Sequence, residues 1–307
     1  MSDRLNGISA FVEAAEAGSF ALAAERMRLT RSAVGKSIAR LEQRLGVRLF
    51  QRTTRSQSLT EDGQAYYERC VRALAELNAG ALALDSGRSE PIGVLRVSVP
   101  VLFGRHCVTP VLLALGLQYP GLKIEISFND HLVDLVEEGY DLAVRIGKLP
   151  DSSTLVARRL GTQRMVICAA PPYLAEHGTP TSVQDLSKHM GIAYGRSGRI
   201  KPWVVRDSEG RELNPQVDIR LVFDDLQAIT DAAVAGVGLA WLPCWLMARH
   251  KQAGELEIVL DCDTVLATEI YAVWPQSHYL PSKTRAAIDA LIAEIPGRIG
   301  QFEQASK

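Results

Sequence analysis

"RSAVGKSIARLEQRLG", residues 31–46, carries two patterns on one helix. Val34, Ile38, Leu41 and Leu45 recur at spacings of four, three and four, which sets them on one helical face. Lys36, Arg40 and Arg44 stand four apart on another. At about 100° per residue, Ser32, Lys36 and Arg40 point away from the apolar side, and Arg31 and Gly35 flank the N-terminal edge. Thr30 is placed to cap the helix and Gly46 to end it. Gly35 breaks the regularity, because glycine inside a helix costs about 1 kcal/mol against alanine.

The neighbouring residues extend the pattern. In "LNGISAFVEAAEAG" Leu5, Ile8, Phe11, Val12 and Ala15 share a face, and Gly18 ends the helix. Ser19 is a natural N-cap for "FALAAERM", whose Phe20, Ala23, Ala24 and Met27 face inward. The small Ala23 and Ala24 let two helices cross closely, as a helix-turn-helix requires. Downstream, "VRLFQRTTRSQSL" suits a short hairpin with Val47, Leu49 and Phe50 in its stem and Arg52, Thr53, Thr54 and Arg55 at its tip. A helix with apolar and basic faces is by itself an ordinary surface helix. Here residues 1–60 also hold ten basic and five acidic residues, so this segment carries +5 while the rest of the chain carries −6. A basic end on an otherwise acidic protein points to a polyanionic partner for that end alone.

At 307 residues the chain has room for two or three domains, and 47% apolar with 22% charged residues is ordinary for a soluble protein. All fourteen prolines lie from Pro91 onward. The proline-free part reads as all-α and the remainder as α/β, with a linker-like "LDSGRSEPIG" at residues 84–93 between them. Five scattered cysteines (Cys70, Cys107, Cys168, Cys244, Cys262) form no CxxC pair and no metal spacing with the six histidines. They suit reduced thiols in the cytosol. No apolar run of about 18 residues and no signal-peptide pattern is read, so a cytoplasmic protein with no membrane partner is expected.

Residues 18–63, "GSFALAAERMRLTRSAVGKSIARLEQRLGVRLFQRTTRSQSLTEDG", closely resemble the winged helix-turn-helix of LysR-type transcriptional regulators, over a long ungapped run. The resemblance, with the helix geometry, gives Thr30, Arg31, Ser32, Gly35, Lys36, Arg40, Arg52, Thr53 and Arg55 as candidate DNA-facing residues. Base reading is expected from the N-terminal part of the 31–46 helix, and register from the hairpin arginines. The family more often has serine or threonine where this chain has Gly35.

From Thr60, with Glu61 and Asp62 in the first turn, a helical pattern runs to about Leu84. Tyr67, Cys70, Leu74, Leu77, Ala81 and Leu84 recur as a heptad seam, which either packs on its own domain or joins two copies. The linker helix of the resembled family favours a homodimer or homotetramer, whose paired recognition helices would meet half-sites about 34 Å apart.

In the second part, strand-like runs ("GVLRVSVP", "LKIEISF", "DLAVRIG", "RMVICAA", "MGIAY", "VDIRLVF", "GLAWLP", "EIYAVWP") alternate with helical ones ("GRHCVTPVLLALGLQY", "HLVDLVEEG", "DLQAITDAAVAG", "PSKTRAAIDALIAEI"). Such alternation implies parallel sheets with ligands at the strands' carboxyl ends. "YPGLKIEI", "LVDLVEEGYDLAVRIGKLPDSSTLVARRLG" and "AAVAGVGLAWLP" resemble the LysR effector-binding half. The implied fold is multidomain. Residues 1–60 are an N-terminal all-α winged helix-turn-helix, residues 61–90 a linker and dimerisation helix, and residues 91–303 an α/β periplasmic-binding-protein-like effector domain. Its two subdomains, 91–162 with 268–303 and 163–267, would be joined by strands crossing near residues 161–165 and 265–270.

By the same resemblance the cleft between subdomains binds a small effector, walled by Pro100, Val101, Leu102 and Phe103, by Asn129, Asp130 and His131, by Arg145, Ile146 and Gly147, and by Asp224 and Asp225. Helix N-termini near residues 103, 131 and 225 would offer free N–H groups to an anion such as an organic acid, and Asp224 asks for a donor group on the same ligand. Alternatives stay open: Arg145 in a structural salt bridge, His131 as a helix cap, and "RSGRIKPW" (196–203) as a surface loop rather than a cover bringing Arg196, Arg199 or Trp203 to the effector.

An enzyme is the competing class. No nucleophile, base and oxyanion hole are arranged together, and no P-loop, HExxH or Ser-x-x-Lys occurs beside a plausible base. "AGVGLAW" lacks the dinucleotide fingerprint. The expectation is a one-component switch with no enzymatic activity, cofactor or metal. Its partners would be double-stranded promoter DNA, a small-molecule effector, further copies of itself and RNA polymerase.

Overall fold

Gly18 stops the first helix in the left-handed conformation (φ 67°), and Ser19 starts the second by accepting a hydrogen bond from Leu22 N at 3.2 Å. These two residues set the turn between α1 (Ile8–Ala17) and α2 (Phe20–Arg26). Thr30 Oγ1 accepts from Ala33 N at 3.1 Å to open α3 (Arg31–Leu45), and Gly46 closes it at φ 75°. Phe11, Ala14, Ala23, Val34 and Ile38 are wholly buried between the three helices. Leu45 departs from the expected apolar face: it lies in the last turn and is exposed. The computed structural model describes residues 7–52, 57–85, 90–206, 211–260, 267–277 and 280–304.

A hairpin follows, β1 (Phe50–Arg52) paired antiparallel with β2 (Gln57–Leu59). It is tied to α3 through Glu42 Oε1, which accepts from Leu49 N (2.8 Å) and Phe50 N (3.2 Å). Thr60 Oγ1 accepts from Gly63 N at 2.9 Å and donates to Arg48 O at 2.7 Å, starting α4 (Glu61–Asp85). Gly63 is required there, since a Cβ would fall 2.0 Å from Leu49 O. The chain divides into two compact units, Met1–Val94 and Leu95–Lys307.

The second unit is built on one long mixed sheet. Its strands are β3 (Gly93–Val99), β4 (Leu122–Phe128), β5 (Leu142–Ile146), β6 (Leu155–Ala169), β7 (Met190–Arg196) and β8 (Arg199–Ile200). A separate short pair, β9 (Val205–Arg206) and β10 (Glu212–Leu213), precedes β11 (Asp218–Phe223), β12 (Leu239–Pro243), β13 (Glu257–Val259) and β14 (Ala267–Pro275). The order is β11-β7-β12-β6-β14-β5-β3-β4, with β13 and β8 attached to β6 and β7. β6 belongs to both halves: through Arg164 it pairs with β14, and from Met165 with β12, joined by β13 from Ile167. The chain returns to the first half between β13 and β14.

Helices cover the faces. The segment α5 (Val101–Phe103), a π-turn (Gly104–Val108) and α6 (Thr109–Gln118) follows β3. Together Val101–Gln118 is long and apolar enough to cross a membrane by composition, which the reading for apolar runs missed because Arg105 and His106 interrupt it. Its Leu102, Phe103, Cys107, Val108, Val111 and Leu112 instead enter the core. α7 (Pro171–His177), α8 (Leu226–Val234), α9 (Cys244–Gln252) and α10 (Ser282–Gln304) complete the unit. Lys283, at the start of α10, reaches Asp141 Oδ1 at 3.1 Å as a nearly buried ion pair. Asp141 also accepts from Arg96 N at 2.8 Å, so this pair fastens α10 to the sheet.

Two expectations are corrected. "HLVDLVEEG" makes no helix, but a single turn in which Asp134 Oδ1 accepts from Val136 N and Glu137 N (both 2.9 Å) and which Gly139 closes at φ 71°. "RSGRIKPW" is a hairpin of β7 and β8 turning through Ser197 (φ 50°) and Gly198 (φ 77°), and Trp203 is buried in the core of the second half.

Candidate functional site

On α3 the outward face is bare. Arg31, Ser32, Lys36 and Arg40 are exposed, and none of the three cations makes an ion pair with a described residue. They contrast with Arg26, which is held by Glu13 at 3.2 Å. Arg31 is the first residue of α3, so its charge and the helix dipole both favour an anionic neighbour at that end. Thr30 is exposed, and its hydroxyl oxygen caps the helix, which leaves the O–H as a donor. Gly35 sits in a shallow depression lined by Phe20, Arg31, Ser32, Lys36 and Ala39. Arg52 lies on β1, while its side chain and all of Thr53 and Arg55 lie outside the described residues.

The heptad seam divides. Cys70 is 3% exposed, and Tyr67 and Leu74 pack with it on the core of the first unit. Tyr67 Oη also donates to Glu16 Oε1 at 3.2 Å. These three residues therefore pack on their own domain, a correction to their place among the residues expected to join two copies and the alternative the seam had left open. Leu77, one turn on, is 53% exposed. The side chains of Ala81 and Leu84 lie outside the described residues, although their backbone continues α4.

In the second unit the carboxyl ends of β3, β4 and β5 converge. Asn129 N donates to Val99 O at 2.9 Å, and Val101 N to Asp130 Oδ1 at 3.0 Å, so the residue after β4 holds the turn after β3. Arg145 is 8% exposed; Nη2 donates to Ser98 Oγ at 3.1 Å and Nη1 to Val144 O at 3.1 Å. Both partners are neutral, and Glu138 acts on the guanidinium only through space. Burial pulls the Arg145 pKa below an arginine's usual value, which is the mark of a desolvated cation without a full counter-charge. Asn129 Nδ2 donates to the same Ser98 Oγ at 3.2 Å, and Asn129 Oδ1 is buried without a partner. Gly147 (φ 101°) ends β5 in a conformation suited to glycine, beside Thr268 of β14, and Ile146 pairs with Ile270.

The opposite wall comes from the second half. Asp225 caps α8 by accepting from Ala228 N at 2.8 Å, and Asp224 beside it is exposed. Tyr194 lies near the end of β7: burial first, then the carboxylates of Asp130, Asp224 and Asp225, push its pKa up, with Arg196 opposing.

Several expected wall residues are placed elsewhere. Leu102 (3% exposed) and Phe103 (1%) are core, Phe103 lying edge-on to Trp245 with ring centroids 5.7 Å apart. Pro100 and Val101 remain partly accessible. His131 is exposed and caps no helix, because none starts there. The expected free helix N-termini are also corrected: that at residue 131 is absent, and those at 101 and 225 are each met by a carboxylate of this chain, Asp130 and Asp225. Arg145 is then the buried positive group among the expected wall residues. Ser98 and Tyr194 were not singled out from the sequence, although both lie at the strand ends where ligands of open α/β sheets bind. Among the described residues no group of three His, Cys, Asp or Glu side chains is arranged for a metal.

Residues 5–64 match the family described as "Bacterial regulatory helix-turn-helix protein, lysR family", and residues 88–296 the "LysR substrate binding domain". An HTH-type transcriptional regulator of Haemophilus influenzae is 36% identical over 285 residues, 92% of this chain and 97% of its own length. The HTH-type transcriptional activator AaeR of Escherichia coli K12 is 32% identical over 290 residues, 94% and 93% of the two lengths. Among solved structures, CrgA of Neisseria meningitidis, a LysR-type transcriptional regulator, superposes with a TM-score of 0.61 at 30% identity, covering 94% of this chain and 98% of that one.

Proposed function

The chain belongs to the LysR family of bacterial transcriptional regulators, with a helix-turn-helix and an effector-binding domain, and from that premise we propose how it recognises its two ligands. Residues 1–60 hold promoter DNA, residues 61–90 join copies of the chain, and residues 91–303 bind the effector, with subdomains 91–162 plus 268–303 and 163–267. The carrying observation for DNA is the set of exposed cations on α3 without an ion pair, Arg31, Lys36 and Arg40, with Ser32 and Gly35 between them. A polyanion supplies the counter-charges that the fold does not.

The effector is a small carboxylate carrying a second, hydrogen-bond-donating group. Buried Arg145, supported by Ser98 and Asn129, meets the carboxylate, and exposed Asp224 with Tyr194 meets the donor across the cleft from Pro100, Val101, Ile146 and Gly147. The distal part of α4, from Leu77 onward, is the part of the seam available for a homodimer or homotetramer. The effector acts by its differential affinity for two angles between the halves hinged on β6 and β14. That change re-spaces the DNA-binding pairs, alters DNA bending and alters contact with RNA polymerase. A regulator of this kind works in the cytoplasm and catalyses no reaction.

The test uses the full-length protein on duplexes it selects from a random library. Specific binding that Arg31→Ala and Lys36→Ala weaken supports the reading, and unaltered binding in both variants overturns it. For the effector, a thermal-shift screen of amino and hydroxy acids against simple amines and sugars is expected to score only among the acids.

A further inference from the structure

We propose that the depression over Gly35 receives the C5-methyl group of one thymine in each half-site, an inference that rests on α3 facing DNA. Neither packing nor backbone asks for glycine at this position. A Cβ built there meets only Phe20 Cδ2, at 4.0 Å, an ordinary contact, and the residue is helical. What the missing side chain does is leave the edge of the Phe20 ring uncovered as the floor of the depression. The ring is held from behind by Phe50, edge-on at 5.4 Å between centroids, and Phe50 is itself 3% exposed. The floor is therefore apolar and fixed.

Its rim is different. Arg31 and Lys36 bring positive charge and Ser32 a hydroxyl, with the Ala39 methyl completing the apolar part. In the major groove only thymine presents an apolar group, its C5-methyl, with the O4 acceptor beside it. Cytosine, adenine and guanine would turn polar or bare ring edges to the floor. An open depression, apolar below and donor-rich at the edge, matches that pair of groups, and the rim charge matches the flanking phosphates. Alanine at this position would set its own methyl against the exposed edge of the Phe20 ring, 4.0 Å from Cδ2.

The experiment replaces thymines one at a time by deoxyuridine in the duplex that the full-length protein selects, and measures binding by wild type and by Gly35→Ala. Wild type is expected to lose about fourfold in affinity at one thymine per half-site, the worth of one buried methyl group. Gly35→Ala should bind the thymine duplex more weakly and be restored by deoxyuridine at that same position. Indifference of wild type to every deoxyuridine, an unchanged fourfold loss in Gly35→Ala, or binding of neither duplex by Gly35→Ala overturns the proposal. If no duplex is selected at all, the assignment of α3 to DNA falls instead, and the proposal with it.

Discussion

On α3, Arg31, Lys36 and Arg40 stand in solvent without an ion pair, whereas Arg145 of the second unit is 8% exposed and hydrogen-bonded only to neutral oxygens. Both arrangements leave positive charge uncompensated, but at different strength. Two unit charges 4 Å apart attract by about 1 kcal/mol in bulk water and about 4 kcal/mol at an effective dielectric of 20. The exposed cations are thus individually weak and collectively suited to many phosphates. Arg145 is suited to one carboxylate. On the proposed function, the difference teaches that solvent exposure, more than the number of charges, sorts a polyanion from a small acid in this chain.

The sharpest way to break the comparison is to ask whether a buried cation here is structural by default. Lys283 is also buried, but against Asp141 at 3.1 Å. Lys283→Met should cost the second unit about 3–5 kcal/mol in denaturant unfolding, because it strands a carboxylate that is only partly exposed. Arg145→Met should leave stability unchanged or raise it by about 1 kcal/mol while abolishing the thermal shift by carboxylates. A loss above about 2 kcal/mol in that variant would make Arg145 a structural residue and end the contrast.

On the exposed side, the double variant Arg31→Ala with Lys36→Ala should lose about 100-fold in DNA affinity by gel shift, at unchanged unfolding midpoint. Salt sharpens the point further. The logarithm of DNA affinity should fall steeply with the logarithm of salt concentration, by about 0.9 per phosphate neutralised, and the slope should shrink in the double variant. Effector affinity measured over the same salt range should change little, since buried charges are poorly screened.

The smallest effect is one of pH. Burial pulls the His106 pKa down first, with Arg249 and Arg105 adding to it, and burial likewise lowers that of His189. A histidine whose folded pKa lies below its unfolded value binds fewer protons in the folded chain. Stability from that source is present above the unfolded pKa and is lost as pH falls through it. The melting temperature of the second unit should therefore decline modestly between pH 7 and 5, and a rise over that interval would contradict the assignment.

The ends of α1, α2 and α3 were legible because caps are local: Gly18, Ser19, Thr30 and Gly46 act on residues within one turn. Arg145 was reached only through the family resemblance, which named it among the walls of the expected cleft. Periodicity misled where it identified a face without its partner. Tyr67, Cys70 and Leu74 fit a heptad yet pack on their own domain. Leu132, Leu135 and Val136 fit a helix, but only Leu135 is buried there, and the Asp134 side chain takes the N–H groups of a single turn. Ser98 and Tyr194 were not legible, because their roles arise when strands distant in sequence end side by side. α9 was missed for a related reason: Trp245, Leu246, Met247 and Ala248 are buried in succession and leave no polar face to reveal a period.

The strand β6, shared by both halves, bears on how the chain is made. Its second half and the strands β7 to β13 form one contiguous stretch that emerges from the ribosome without interruption. The first half of the sheet has β3, β4 and β5 early but lacks β14 and the covering α10 until residue 304 is translated. At about 5–20 residues per second, β3 waits about 10–40 s for the elements that complete its sheet. The part synthesised earlier in this unit is therefore the part whose sheet is completed last, and during that interval its apolar strands are the ones a chaperone would meet.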